Sequence, residues 1–232
     1  MRTTILFLLI LCSFYCVSEE DKKGKQLEFK NITMQFGSKR EEELFALRAN
    51  VISAKMSNGN SLCDVVGESY QLAQAKLAEL VAQSTEEDSR YIVEAAVMAN
   101  SLKDVKRLVE NGAPLVTHKY TWGLSLLHIA AIEANPDVIK YLNSAGFDIN
   151  FAIPETGMTP LHLAVNSNRL DNIKALIALG ANINVLSKAG VSPIFYTFAC
   201  KDQNTFDYLV KQGAIVDEKT RKVAKSRGLT VN

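Results

Sequence analysis

At 232 residues, with 47% apolar and 22% charged positions, the chain has the make-up of a globular protein of one or two domains rather than a disordered one. Its 26 basic and 25 acidic residues leave a formal charge of +1. No run of like charge is long enough to lie along a row of phosphates, which argues against nucleic acid as a partner.

Residues 1–18 differ in character from the rest. Arg2 precedes the apolar run Ile5 to Leu11, Phe14, Tyr15 and Val17 extend it, and Glu19-Glu20-Asp21-Lys22-Lys23 closes it. A charge, a short apolar segment and a polar exit make the layout of a secretory signal. The run falls short of the roughly 20 apolar residues that cross a bilayer. Three fates stay open: cleavage after Ser18, with Cys16 and Ser18 as the small residues of the site; acylation of Cys16 as in a lipoprotein, against which bulky Tyr15 counts; or retention as an anchor. Each implies export to a periplasm, a cell envelope or the exterior rather than a cytoplasmic location, with membrane contact only through a lipid or an uncleaved leader.

Loss of residues 1–18 removes Arg2 and two of the four cysteines, leaving a formally neutral chain with Cys63 and Cys200, 137 positions apart. That number excludes a disulfide framework. Two separate thiols are the expectation, with one long-range bridge as the alternative. Asn31-Ile32-Thr33 matches the N-glycosylation acceptor pattern.

Residues 19–37 read as a charged linker and an extended stretch, Leu27 to Phe36. Residues 38–85 read as a helical amino-terminal cap. Leu44, Leu47, Val51 and Ile52 mark one face of a helix from Arg40 to Met56, and Asn58-Gly59-Asn60 ends it. Val65, Val66, Tyr70, Leu77, Leu80 and Val81 mark a second helical stretch over Leu62 to Ala82. Ser84 and Glu87 have capping-box spacing.

From residue 86 the chain repeats itself. Gly123-Leu124-Ser125-Leu126-Leu127-His128-Ile129-Ala130 returns 34 positions later as Gly157-Met158-Thr159-Pro160-Leu161-His162-Leu163-Ala164, and in degraded form from Gly190 to Thr197. A second marker keeps the same phase at Gly112, Gly146, Gly180 and Gly213. Two markers on one period of 33 or 34 residues identify a solenoid of supersecondary units. Each unit reads as two short helices: Pro160 suits a first helical turn, Leu170, Ile173, Leu176 and Ile177 form the apolar face of the second helix, and Gly180 suits a left-handed cap. The units span about 86–118, 119–152, 153–186 and 187–217, with a carboxy-terminal capping half-repeat at 218–228.

These residues resemble the ankyrin repeat, through Thr-Pro-Leu-His-x-Ala at Thr159 to Ala164, its copy at Ser125 to Ala130, and the tails Gly180 to Asn184 and Gly213 to Asp217. The first and last units depart from the pattern, as solenoid ends do. The resemblance implies an all-α solenoid of about four helix–turn–helix units, each with a hairpin finger. It also implies that His128 and His162 bond backbone in the neighbouring turn rather than a metal. Its concave wall would be built from fingertips and first-helix ends: Met98 and Ala99; Thr121, Trp122, Leu124, Ile132 and Glu133; Glu155, Thr156, Met158, Asn166 and Ser167; Lys188, Ala189, Val191, Ala199 and Cys200. Trp122, the only tryptophan, is the foremost candidate for a binding anchor.

No P-loop, dinucleotide turn or nucleophile elbow occurs, and His118 has no second ligand near it in sequence. The expectation is therefore a non-enzyme without cofactor, metal or small-molecule substrate. It would be an exported module that grips a protein partner, or alternatively a lipid-anchored envelope accessory that stabilises or inhibits an exported enzyme.

Overall fold

The computed structural model describes residues 68–82, 89–112, 124–200 and 202–231, among which all regular structure is helical and no strand occurs. The leader, the helix expected over Arg40 to Met56, the Ser84 cap, His118 and the fingertip residues Thr121 and Trp122 lie outside these residues. The described elements are α1 (Glu68–Ala82), α2 (Ser89–Met98), α3 (Leu102–Glu110), α4 (Leu126–Glu133), α5 (Pro136–Ser144), α6 (Pro160–Asn166) and α7 (Leu170–Ala178). A 3-10 turn (Pro193–Tyr196) then runs into the short α8 (Thr197–Cys200), followed by α9 (Gln203–Lys211) and α10 (Glu218–Ser226).

The order of the sequence explains two parallel rows. In α4 nearly every residue is buried, from Leu126 through Ala131 and again at Glu133. A helix apolar all round can exist only when covered on all sides. Accordingly α4 packs against α2 before it, α6 after it and its own partner α5, and α6 packs in turn against the 3-10 turn. The second helices are amphipathic instead. In α5 only Val138, Ile139 and Leu142 are fully buried, and in α7 Asn172, Ile173, Ala175 and Leu176 are. These helices form the outer row, α3 against α5 and α5 against α7. One continuous core runs from Leu77 of α1 to Leu229 beyond α10, each fully buried Leu or Ile contributing about 1.5–3 kcal/mol.

Local chemistry starts and stops the helices. Asn135 accepts hydrogen bonds from the amides of Asp137 and Val138 (3.0 and 3.3 Å) ahead of Pro136. Asp217 accepts one from the amide of Thr220 (2.7 Å) to open α10. At the ends, Gly180 takes φ +93°, so the Gly180 and Ala181 amides reach back to the carbonyls of Ile177 and Leu176 (both 3.0 Å). Gly146 and Gly213 close their units by the same pair of bonds.

The degraded copy in the fourth unit has a structural counterpart. Where α4 and α6 are regular helices, the segment from Pro193 to Cys200 is a 3-10 turn and a single α-turn. Bulky Phe195, Tyr196 and Phe198 fill the volume there, with Phe195 and Phe198 edge to face at 5.1 Å.

Gly157 is the glycine whose position demands its missing side chain. A Cβ there would lie 2.8 Å from the Lys188 amide nitrogen, whose N–H donates to the Thr156 carbonyl (2.8 Å) and joins the third finger to the fourth. At Gly180 a Cβ would meet nothing within 4 Å. Gly180→Ala is therefore expected to cost only the left-handed backbone strain, about 1–2 kcal/mol. Gly157→Ala bears that strain and the clash, and is expected to lose at least about 1 kcal/mol more. Urea midpoints of the two variants compare them directly; equal losses would refute the finger-to-finger contact.

Candidate functional site

The units are stitched together by two polar devices of the same period. In the first, a histidine sits inside a helix start. The Ser125 amide donates to His128 Nδ1 (3.0 Å), so Nδ1 is unprotonated and the proton is on Nε2. Nε2 therefore donates to the Met158 carbonyl of the next finger (3.1 Å). His162 repeats the arrangement with the Thr159 amide (3.1 Å) and the Val191 carbonyl (3.2 Å). The role that the resemblance assigns to both histidines is the one they have. Each ring also makes a T-shaped aromatic pair, His128 with Phe151 at 6.0 Å and His162 with Tyr196 at 5.9 Å.

The second device is an asparagine at the base of two of the fingers. Asn150 donates through Nδ2 to the Gly180 carbonyl (3.2 Å) and accepts through Oδ1 from the Asn182 amide (2.8 Å). Asn184 does the same with the Gly213 carbonyl (3.0 Å) and the Ile215 amide (2.9 Å). On the outer row, buried Asn172 donates to the Ala131 and Ala134 carbonyls of the preceding unit (3.0 and 2.9 Å). In the sequence Asn184 stands at the end of a repeat tail with no bonding role read for it, and Asn150 and Asn172 were not singled out. The signal was there for the first pair, in an asparagine four positions beyond Gly146 and again beyond Gly180.

The structure sorts the expected contact residues into two groups. Met98, Leu124, Glu133, Met158, Asn166, Ser167 and Val191 are buried, none more than 8% exposed. Met158 shows why: it is wedged in the stack beneath the Tyr196 hydroxyl, 3.8 Å from its sulfur, while its carbonyl serves His128. Met158 thus seals a joint between units, and all seven positions are buried rather than open to solvent in this structure. Glu155 and Lys188 are exposed, and Ile132 and Thr156 are partly so. Glu155, Thr156 and Lys188 come together where the third and fourth fingers meet, through the Lys188–Thr156 backbone bond.

A surface that the sequence did not announce lies beside them. Asn184, Leu186, Val191, Phe195, Ile215 and Lys219 line a groove between the fourth finger and α10. Leu186 and Ile215 are 62% and 65% exposed there, and the Lys219 ammonium stands 5.7 Å from the centre of the Phe195 ring. Two exposed aliphatics beside a cation over an aromatic suit a mixed apolar and acidic ligand surface.

Cys200 also departs from expectation. It is disulfide-bonded rather than a separate thiol, and the other three cysteines of the chain all precede the described residues. Its Sγ lies 3.9 Å from the Asn166 carbonyl oxygen. Among the described residues no group of three His, Cys, Asp or Glu side chains converges as a metal site. No described helix is long and apolar enough to cross a membrane.

The family model for ankyrin repeats, in three copies, matches residues 93–187. A Rickettsia felis protein named for ankyrin repeats is 25% identical over 188 residues, 70% of this chain and 49% of that protein. A likewise named Fowlpox virus protein, FPV031, is 28% identical over 155 residues, 65% of this chain and 45% of its own length. Another from Rickettsia bellii is 36% identical over 100 residues, 43% of this chain and 55% of that protein. The chain thus spans about half the length of these curated relatives.

Burial holds both imidazoles far below the ordinary histidine range, to about 4 for His128 and for His162, although their backbone bonds work the other way. The unfolded chain binds protons at 6.5 and the folded one does not, so stability is complete above pH 6.5 and declines as pH falls toward 4. Each imidazole is expected to take away about 2–3 kcal/mol by pH 4.5. Urea titrations at pH 7.5 and 4.5 measure this, and His162→Gln should flatten the difference while lowering the starting stability. A wild-type chain equally stable at both values would rule out neutral imidazoles as the stitch.

Proposed function

We propose, from the ankyrin repeats that residues 93–187 carry, that the protein is a non-catalytic binding module working outside the cytoplasm. Ankyrin repeats imply protein partners. The observation that carries the reading is the division of labour among side chains. Histidines and asparagines that elsewhere perform chemistry here tie backbone to backbone, and the solvent-facing residues where the third and fourth fingers meet are Glu155, Lys188 and, in part, Thr156. Solenoids present such residues as one extended surface.

Export is supported by the leader and by Cys200. Disulfides persist in oxidising compartments and are rare in the cytosol, so a bonded cysteine agrees with an apolar run at residues 5–11 that follows Arg2.

The partner surface is the finger edge, with Trp122 as its aromatic anchor. Affinity isolation of the full chain from its native compartment, followed by calorimetric titration with the recovered partner, tests it. Trp122→Ala and the double variant Glu155→Lys, Lys188→Glu should each weaken binding at least about tenfold, roughly 1.4 kcal/mol. Leu186→Ala with Ile215→Ala should leave it unchanged. The opposite pattern would move the site to the groove beside α10, and loss from none of these variants would discard the finger edge.

A further inference from the structure

The joint between the third and fourth fingers shows what a finger edge accepts. The Lys188 N–H donates to the Thr156 carbonyl (2.8 Å), one residue before Gly157. Behind it, His162 donates to the Val191 carbonyl of the incoming finger (3.2 Å). The fourth finger repeats this edge. Its counterpart of Thr156 is Ala189, one residue before Gly190, and among the described residues no N–H donates to the Ala189 carbonyl. The counterpart of His162, 33 positions on, is Phe195. The chain begins a fifth finger, where Asn184 holds both the Gly213 carbonyl and the Ile215 amide (3.0 and 2.9 Å). It then turns away into α10. The groove between the fourth finger and α10 is thus the seat of a finger that these residues do not build.

We infer that this seat takes an extended segment of a partner protein in which aliphatic and acidic residues alternate. Three features of the seat define that chemistry. The open Ala189 carbonyl calls for a backbone N–H, as strand addition to a free edge supplies. Leu186 and Ile215, both largely exposed, stand where the preceding unit has Ala152 and Asn182. Large aliphatics at two solvent-facing places that are otherwise small or polar mark a contact surface.

The third feature is charge. The Lys219 ammonium stands over the Phe195 ring in the groove wall. Residues 218–232 hold five bases, Lys219, Arg221, Lys222, Lys225 and Arg227, against Glu218 alone, in a chain whose overall charge is only +1. Asp217 also lines the groove, but the Thr220 amide engages its carboxylate (2.7 Å). The positive excess is therefore local to this end, and it favours an acidic guest. Alternate side chains of an extended segment point to opposite sides, so one segment can lay aliphatics on Leu186 and Ile215 and turn carboxylates toward α10. A lipid surface would meet the α10 cations as a plane, but it has no main chain to offer the finger edge. The inference goes beyond the proposed binding role, since the seat and the third-to-fourth finger edge are different surfaces.

Fluorescence anisotropy of the full chain with a fluorescein-labelled short peptide of alternating valine and glutamate reads the seat directly. Binding should weaken at least about tenfold when Leu186→Ser and Ile215→Ser are combined, and about fivefold in Lys219→Glu. Both aliphatics face solvent, so their replacement leaves the core intact. Methylating the peptide's amide nitrogens one at a time should abolish binding at one position, the N–H that meets Ala189. Equal binding of a valine–lysine peptide, or tolerance of methylation at every position, would overturn the assignment. So would anionic phosphatidylglycerol vesicles that bind while the peptide does not, which gives the surface to lipid. A dimer of the chain that the Leu186 and Ile215 changes dissolve would give it to a second copy and overturn the assignment equally. The peptide contains nothing of the finger-edge partner, so the two surfaces fail independently.

Discussion

A single proton on each of two buried rings holds the register of the stack. Because the Ser125 and Thr159 amides occupy Nδ1 of His128 and His162, the remaining proton must be on Nε2, and it is spent on a carbonyl of the following finger. Each histidine thus completes its own helix start and fixes where the next unit sits. A second proton would cost the amide its acceptor, which is why the rings must stay neutral. The apolar burial around them supplies most of the free energy but little direction, since one greasy helix face packs on another in many registers. The imidazole admits one.

Around that constraint the units differ in ways that follow from position. The middle units have inner helices buried on every side, whereas at the carboxy-terminal end the inner segment from Pro193 to Cys200 is shortened and filled with aromatic volume. In the first unit the position equivalent to His128 is Glu94, buried to 1%. Among the described units the registering histidine is found in the two middle ones, each of which has a following finger whose carbonyl takes the Nε2 proton.

Much of this was legible beforehand. Period, helix pairs and cap glycines could be read because they depend on local sequence and on a spacing that recurs, whereas the work of the two histidines was implied only by the resemblance. Exposure at the helix ends could not be read. Met158, Asn166 and Ser167 occupy positions where the resemblance places contacts, yet they are buried, because burial depends on neighbours distant in the chain, such as Tyr196 over Met158, that a single sequence does not print. The bonded state of Cys200 escaped because a count of cysteines does not show which sulfurs meet. The groove at Leu186 and Ile215 arises where a divergent finger meets the terminal helix, so no repeat pattern foreshadows it.

The finger-base asparagines carry one more consequence. An amide side chain has a donor and an acceptor, and Asn150 and Asn184 use both on the unit that follows. The same place in the last unit is taken by Asp217, four positions beyond Gly213. A carboxylate has nothing to donate, and it turns instead to accept from Thr220 and begin α10. The amide relay that passes from Asn150 to Asn184 therefore goes no further: with an acid in its place, the same position opens a helix instead of gripping another finger.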